Sequence, residues 1–185
     1  MESKRLTEDP NAVSYGGAAR SEFRDGDLLC FRGRGWVSLL IRRLTRSSYS
    51  HVGLIYRFEG RVYCLEAVGA GVRLVLMSQL MKRYEGGIDY YSVDAQTPVR
   101  RQAVSWCFTQ LGKLYDTAGI ARFAWTLLTG NAARARRDDQ WFCSEFVAAA
   151  FSEAGLPLVA GAADYTTPED LVRSARLEKR FTLKP

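Results

Sequence analysis

The chain has 185 residues, which is enough for one domain with a single sizeable core. Hydrophobic residues make up 47% of it and charged residues 25%, a composition that excludes a disordered chain. The net charge of +6 suits an anionic partner or simple solubility equally well. Basic and aromatic residues are not interleaved as they are on nucleic-acid-binding surfaces, which disfavours nucleic acid as a partner.

The predicted elements begin after a polar, Gly- and Ala-rich stretch, which predicts a loose N-terminal arm over residues 1–20 and a single domain over residues 21–185. In chain order they are a strand at Gly26–Phe31, a helix at Trp36–Leu44, strands at His51–Phe58, Arg61–Val68, Gly71–Leu76 and Ile88–Val93 with a helix between the last two, and helices at Pro98–Leu111, at Trp141–Ala154 and after the N-cap Thr167. Strands come first and helices follow, an order that predicts the α+β class.

The N-terminal residues contain no apolar run that can act as a signal peptide. The longest apolar stretch, around residues 118–130, is short and is interrupted by Arg122, so it predicts no membrane-spanning helix, although it can lie against a membrane. We therefore expect a cytoplasmic protein with reduced thiols.

The four cysteines lie far apart and form no CxxC pair: Cys30, Cys64, Cys107 and Cys143. This spacing indicates neither a zinc site nor a dithiol redox site. The chain has one histidine, so it offers no convincing set of metal ligands, and we expect no cofactor.

That single histidine, His51, begins the first strand of a predicted hairpin whose two strands are joined by Glu59-Gly60. If Phe58 lies opposite Arg61, His51 and Glu66 project from the same face as diagonal neighbours roughly 7 Å apart. Gly53, opposite Glu66, leaves space for the carboxylate to lean toward the imidazole. A loop of four residues preserves this parity, and a loop of three reverses it.

A histidine oriented by a carboxylate acts as a base, and the candidate nucleophile for it is Cys143. This residue falls in the first turn of the predicted Trp141–Ala154 helix, where unpaired N–H groups and the helix dipole stabilise a thiolate. Cys64 shares the strand parity of Glu66 and is a rival nucleophile, but a mid-strand position lacks the helix dipole. We therefore favour Cys143.

Four short motifs in this order, GDLLCF, SHVGLIY, YCLEAV and FCSEFVAAAF, resemble the circularly permuted members of the NlpC-type papain-like superfamily. These are the YaeF/YiiX-like cysteine amidases and peptidases, with lecithin–retinol acyltransferase as a more distant relative. GKLYD, at residues 112–116, resembles a further segment of these proteins, and the similarity covers roughly residues 25–173. In unpermuted enzymes the cysteine helix precedes the histidine strand, whereas here it follows.

The resemblance implies that Cys143 is the nucleophile, His51 the general base and Glu66 the residue that orients it. It also implies a permuted papain-like fold, in which the cysteine helix packs against an antiparallel, partly barrel-like sheet. We expect the backbone N–H of Cys143 to bind the oxyanion. Tyr49 and Tyr115 are candidate substrate-binding donors, and ordinary packing explains each of them at least as well.

From these observations we expect a thiol hydrolase that cleaves an amide bond in a peptide-like or cell-wall-derived substrate through an acyl-enzyme. The alternatives are a lipid-directed thioesterase or acyltransferase, favoured by the apolar residues 118–128, and a non-catalytic binding module on the same fold. Nine arginines form either a solvated basic face or a rim that attracts an anionic substrate or lipid headgroup. They are Arg32, Arg34, Arg42, Arg43, Arg46, Arg57, Arg134, Arg136 and Arg137.

Overall fold

The computed structural model describes residues 12–115, 140–161 and 166–184. Its elements are β1 Ala12–Ser14, α1 Gly17–Glu22, β2 Leu28–Gly33, α2 Trp36–Thr45, β3 His51–Phe58, β4 Arg61–Val68, β5 Gly71–Leu76, α3 Met77–Arg83, β6 Gly86–Val93, α4 Thr97–Thr109, β7 Leu114–Tyr115, β8 Gln140–Trp141, α5 Cys143–Glu153, α6 Pro168–Val172 and β9 Leu177–Lys184. These elements confirm the α+β class. The predicted Ala118–Leu128 segment and Arg134, Arg136 and Arg137 lie outside the described residues.

Seven of these strands form one mixed sheet in the order β1-β9-β6-β2-β3-β4-β5. Every pair in it is antiparallel except β1 with β9, and the short strands β7 and β8 form a separate parallel pair. The sheet therefore has a meander, β2 to β5, whose hairpins fix which side chains share a face.

Both faces of the sheet are buried, and β2 in the middle shows how the two cores divide. Leu28 and Cys30 pack with residues of α4, α5 and α6, whereas Leu29 and Phe31 pack with residues of α1 and α3. A strand covered on both faces needs an almost continuous apolar sequence, which is what LLCF supplies.

The hairpin between β3 and β4 has the predicted register: Phe58 pairs with Arg61 and Leu54 with Leu65. Both loop residues adopt the left-handed conformation, with φ of 46° at Glu59 and 71° at Gly60. Two such residues in succession make the hairpin turn whose twist matches that of the strands.

The first residues of helices α5 and α6 can be compared with those predicted from the sequence. The sequence predicts a helix from Trp141, but the structure begins α5 at Cys143, because Gln140–Trp141 pairs with β7. The predicted N-cap of α6 is confirmed: Thr167 Oγ1 accepts a hydrogen bond from the backbone N–H of Asp170 at 3.1 Å.

The described part of the predicted N-terminal arm is folded onto the sheet. Ala12–Ser14 pairs with residues 182–184 of β9, and Ala19 of α1 is buried in the α3-side core. A strand of three residues carries too short a pattern to be recognised in the sequence. Among the described residues, no helix combines the length and apolar character needed to cross a membrane.

Candidate active site

His51 and Glu66 meet on the sheet, as the hairpin parity predicts. The His51 Nε2 atom lies 2.8 Å from Glu66 Oε2, and the two side chains are 19% and 3% exposed. The imidazole also packs against the Phe31 ring, with 5.0 Å between centroids. Gly53 keeps the space open, because a Cβ there would lie 3.3 Å from Glu66 Cβ and 2.5 Å from Cys64 Sγ.

Arg73, which the sequence analysis missed, completes the surroundings of Glu66. It lies directly opposite Glu66 in the β4–β5 ladder, and its Nε and Nη2 atoms donate to Oε1 at 2.9 and 2.7 Å. Burial raises the pKa of Glu66, but hydrogen bonds and charge from His51 and Arg73 outweigh it and hold the pKa below 4.5. Glu66 is therefore an ionised carboxylate with one oxygen for each partner.

Cys143 approaches the imidazole from the opposite side of the sheet. Its helix packs on the face to which Val52 and Ala67 belong, whereas Phe31, the aromatic neighbour of His51, belongs to the α3-side core. The thiol reaches His51 where the ladder between β3 and β4 has ended, beyond the pair Leu54 and Leu65. There the thiol lies close enough to His51, and to the backbone N–H groups of Val52 and Ser144, for all three to lower the pKa of Cys143.

These contacts set the charge state of the thiol. Burial raises the pKa of Cys143, and the hydrogen bond and charge of His51, together with the two backbone donors, lower it below its ordinary value. In the same way burial lowers the pKa of His51, while Cys143 and then Glu66 raise it to about 10. Because Glu66 occupies Nε2, Nδ1 is the ring nitrogen left for the thiol. The geometry favours a thiolate–imidazolium pair.

For the other three cysteines, burial outweighs the groups that lower the pKa of the thiol. Burial raises the pKa of Cys107, and it raises that of Cys30 and Cys64 well above the ordinary value, helped by the charge of Asp89 and Glu66 respectively. Cys64, the rival nucleophile, is fully buried and its thiol points to the Leu65 carbonyl at 4.0 Å.

The two candidate tyrosines are placed differently from each other. The Tyr49 hydroxyl donates to Asp89 Oδ2 at 2.7 Å and shares a second hydrogen bond of 2.7 Å with the Tyr91 hydroxyl. It is thus committed to a buried polar network. Tyr115 lies in β7, where its backbone pairs with Trp141, two residues before Cys143. A substrate-binding role for either tyrosine stays a prediction.

A cavity of about 530 Å³ opens beside the pair on the α3 side of the sheet. His51 and Glu66 form part of its wall, Phe31 and Leu80 belong to its apolar part, and Arg73 adds a half-exposed positive charge. The cavity can therefore receive an apolar group with a polar or anionic end next to the imidazole. Within the described ranges, no group of three or more His, Cys, Asp or Glu side chains is arranged to hold a metal ion.

Comparison with known proteins gives three similarities. The family described as permuted papain-like amidase enzyme, YaeF/YiiX, C92 family, matches residues 22–167. The probable lipoprotein peptidase YaeF of Escherichia coli (strain K12) is 28% identical, over 82% of this chain and 63% of that protein, so the chain spans less than two thirds of this relative's length. The crystal structure of the metalloprotein yiiX from Escherichia coli O157:H7 has a TM-score of 0.68 at 19% identity, over 88% of this chain and 98% of that one, which indicates a shared fold.

Proposed function

The chain belongs to the family of permuted papain-like amidases, the YaeF/YiiX or C92 family, and from this premise we propose that it is a cysteine hydrolase that cleaves an amide bond in a peptide-like or cell-wall-derived substrate. The observation that carries the proposal is the contact of Cys143 at the start of α5 with an imidazole whose far nitrogen lies on Glu66. A thiol at the start of a helix beside a cationic imidazole is the arrangement that produces a nucleophilic thiolate.

The proposed reaction uses these three side chains in two steps. The Cys143 thiolate attacks the carbonyl carbon, and the protonated His51 gives its proton to the departing amine as the C–N bond breaks. Water then attacks the resulting thioester while His51 accepts a proton, and the thiolate leaves. Glu66 holds the ring orientation and stabilises the imidazolium in both steps.

Oxyanion stabilisation is proposed for the backbone N–H of Cys143. Residues in the first turn of a helix have N–H groups without a partner inside that helix, and the helix dipole adds positive potential there. Cys143 is the first residue of α5, so its N–H lies next to its own thiol.

Residues 21–185 are proposed to act as one catalytic domain. The nucleophile lies on α5 and the base on β3, and these two elements pack into one core, so neither half of the site is complete alone. The contact between thiol and imidazole also argues against the non-catalytic binding module, since a binding module has no need to keep the thiol activated.

A lipid-directed thioesterase or acyltransferase is the second candidate function, and one observation favours it. The cavity beside His51 has apolar residues from the sheet and from α3, including Phe31, Val75 and Leu80, and such a wall suits an acyl chain. Both candidates pass through the same thioester, so they differ in the substrate and not in the role of Cys143.

Trapping the acyl-enzyme tests the proposal. The protein is incubated with peptide and lipid-ester libraries, quenched with acid and analysed by peptide mapping in a mass spectrometer. We expect an acyl adduct on Cys143 from amide substrates, and none in Cys143→Ala. Adducts from lipid esters alone would assign the second function, and turnover by Cys143→Ala would eliminate the thiol mechanism.

A further inference from the structure

Helix α2 carries an apolar face that points away from the protein. Trp36, Leu39 and Leu40 are 76%, 52% and 48% exposed, and with Arg43 they occupy positions i, i+3, i+4 and i+7, which form one stripe of a helix. A surface helix normally turns its apolar residues toward the core, but in α2 Trp36, Leu39 and Leu40 face outward while Ile41 is half-buried. A contiguous exposed apolar stripe marks an interaction surface.

The charge around this stripe identifies the partner. Three exposed arginines, Arg34, Arg43 and Arg46, flank the stripe or lie in it, and the sequence from residue 28 to residue 58 contains no aspartate or glutamate. The helix thus combines an exposed Trp and two exposed leucines with arginines nearby. Helices that lie in the interface of an anionic bilayer have this composition.

Arg46 adds an exposed positive charge at the end of the helix. It has a φ of 50° at the C-cap of α2, a left-handed conformation in which glycine is the least strained residue.

We propose that α2 binds the surface of a membrane containing anionic lipids, with Trp36, Leu39 and Leu40 inserted among the headgroups and the arginines on the phosphates. The consequence for the site is geometric. Ser38 and Ile41, on the other side of the same helix, line the cavity that contains His51. A bound α2 therefore places the wall of the cavity beside His51 at the membrane surface, whatever the substrate is.

Vesicle co-sedimentation with the full chain tests this proposal. We expect binding to vesicles of phosphatidylcholine with phosphatidylglycerol, much weaker binding to phosphatidylcholine alone, and weakening by salt. The triple change of Trp36, Leu39 and Leu40 to serine should abolish binding. Leu111→Ser is the matched control, because Leu111 is 40% exposed and lies outside α2, and it should bind like the wild type.

Arg46→Gly separates the surface role from folding. It should weaken vesicle binding about fivefold, the effect of one basic residue near an anionic surface, while leaving thermal stability equal or higher because the backbone strain is relieved. Alkylation of Cys143 should be unchanged in all these variants, which shows that the site is intact and keeps this test separate from the proposed activity.

Two results would overturn the proposal. One is equal binding of the triple-serine variant and the wild type to the anionic vesicles, or binding by neither. The other is a self-association in sedimentation velocity that the triple change abolishes, which would assign the face to a second copy of this chain.

Discussion

Glu66 and Asp27 are two carboxylates buried on the same sheet, and each is paired with an arginine. Glu66 is 2% exposed, and within the described ranges its hydrogen-bond partners are two side chains, His51 and a half-exposed Arg73. Asp27 is fully buried and accepts from the backbone N–H of Val93, from the Tyr90 hydroxyl and from an Arg100 side chain that is 5% exposed. One carboxylate faces a titratable group and a cavity, and the other joins elements of the fold.

Under the proposed function, the same kind of residue serves reactivity in one place and stability in the other. Asp27 links the start of β2 to the end of β6 and, through Arg100, to α4. Arg100 extends this junction by donating from Nη2 to the Val93 carbonyl and from Nε to the Ala95 carbonyl. If either Asp27 or Arg100 is removed, the other is left buried and charged. Glu66, in contrast, holds the imidazole of His51 beside an open cavity.

The largest expected effect is on turnover, from changing the two side chains proposed to react. Cys143→Ala and His51→Ala should each lower kcat/KM by roughly 10³-fold or more, and the double variant should be little worse, because the two act as a unit. Neither change touches the Asp27 region, but His51→Ala also removes a partner of the buried Glu66, so turnover is compared per folded molecule, with urea denaturation measuring the folded fraction. A double variant whose loss is the product of the two single losses would contradict a shared mechanism.

Asp27→Asn should reverse this pattern. The amide keeps the shape of the side chain but removes the counter-charge of a buried Arg100, which costs about 3 kcal/mol of the free energy of unfolding. Urea denaturation measures the loss, and kcat per folded molecule should change little. If kcat fell and the unfolding free energy did not, Asp27 would belong to the reactive region.

Glu66→Gln makes the same carboxylate-to-amide change at Glu66 that Asp27→Asn makes at Asp27. The amide can still accept from the imidazole, but it no longer favours the imidazolium, so the pKa of His51 falls and that of Cys143 rises toward its ordinary value. We expect about tenfold lower kcat/KM, equal to one pKa unit or 1.4 kcal/mol, with a small change in stability.

The pH dependence of iodoacetamide labelling at Cys143 measures the pKa of its thiol. Glu66→Ala, which removes the acceptor as well as the charge, should change it more than Glu66→Gln. The wild type should label Cys143 before Cys30, Cys64 and Cys107, whose thiols are buried with raised pKa values. An unchanged alkylation profile in a well-folded Glu66→Ala variant would mean that the carboxylate does not act on the imidazole.

The geometry of the proposed reactive region was largely predictable from the sequence and that of the Asp27 region was not, for a physical reason. The placement of His51 beside Glu66 depends on one two-residue turn, and the position of Cys143 depends on the start of one helix, both of which are local. The contacts of Asp27 with Tyr90, Val93 and Arg100 join residues more than 60 positions apart, and no local pattern specifies them.

Two details of the site show which contacts a local sequence pattern can predict. The position of Arg73 was predictable, because Val68 pairs with Gly71 across the Gly69-Ala70 turn and the same parity sets Arg73 opposite Glu66. The hydrogen bond of the Tyr49 hydroxyl was not predictable, because its partner Asp89 is 40 residues away on β6. That contact is decided by the packing of the sheet.

Arg73→Met gives the smallest expected effect. The Arg73 side chain is 50% exposed, so solvent screens its ion pair with Glu66, and its loss should cost no more than about 1 kcal/mol. Glu66 keeps its hydrogen bond to His51, so kcat/KM should fall only about threefold. The informative measurement is therefore stability against pH.

The folded-state pKa of Glu66 lies below its ordinary value, so the stability from this ionised group is present above the unfolded pKa and is lost as pH falls through the folded pKa. In Arg73→Met the folded pKa moves up toward 4.5, and part of that stability disappears. The difference in unfolding free energy between variant and wild type should thus be full at neutral pH and should shrink in acid, as pH falls through the folded pKa of Glu66 and the carboxylate becomes protonated in both proteins. Urea titrations at the two pH values measure it, with Arg73→Lys as the control that keeps the charge and loses the paired donors. A difference that is the same at both pH values would mean that Arg73 acts by packing and not through the charge of Glu66.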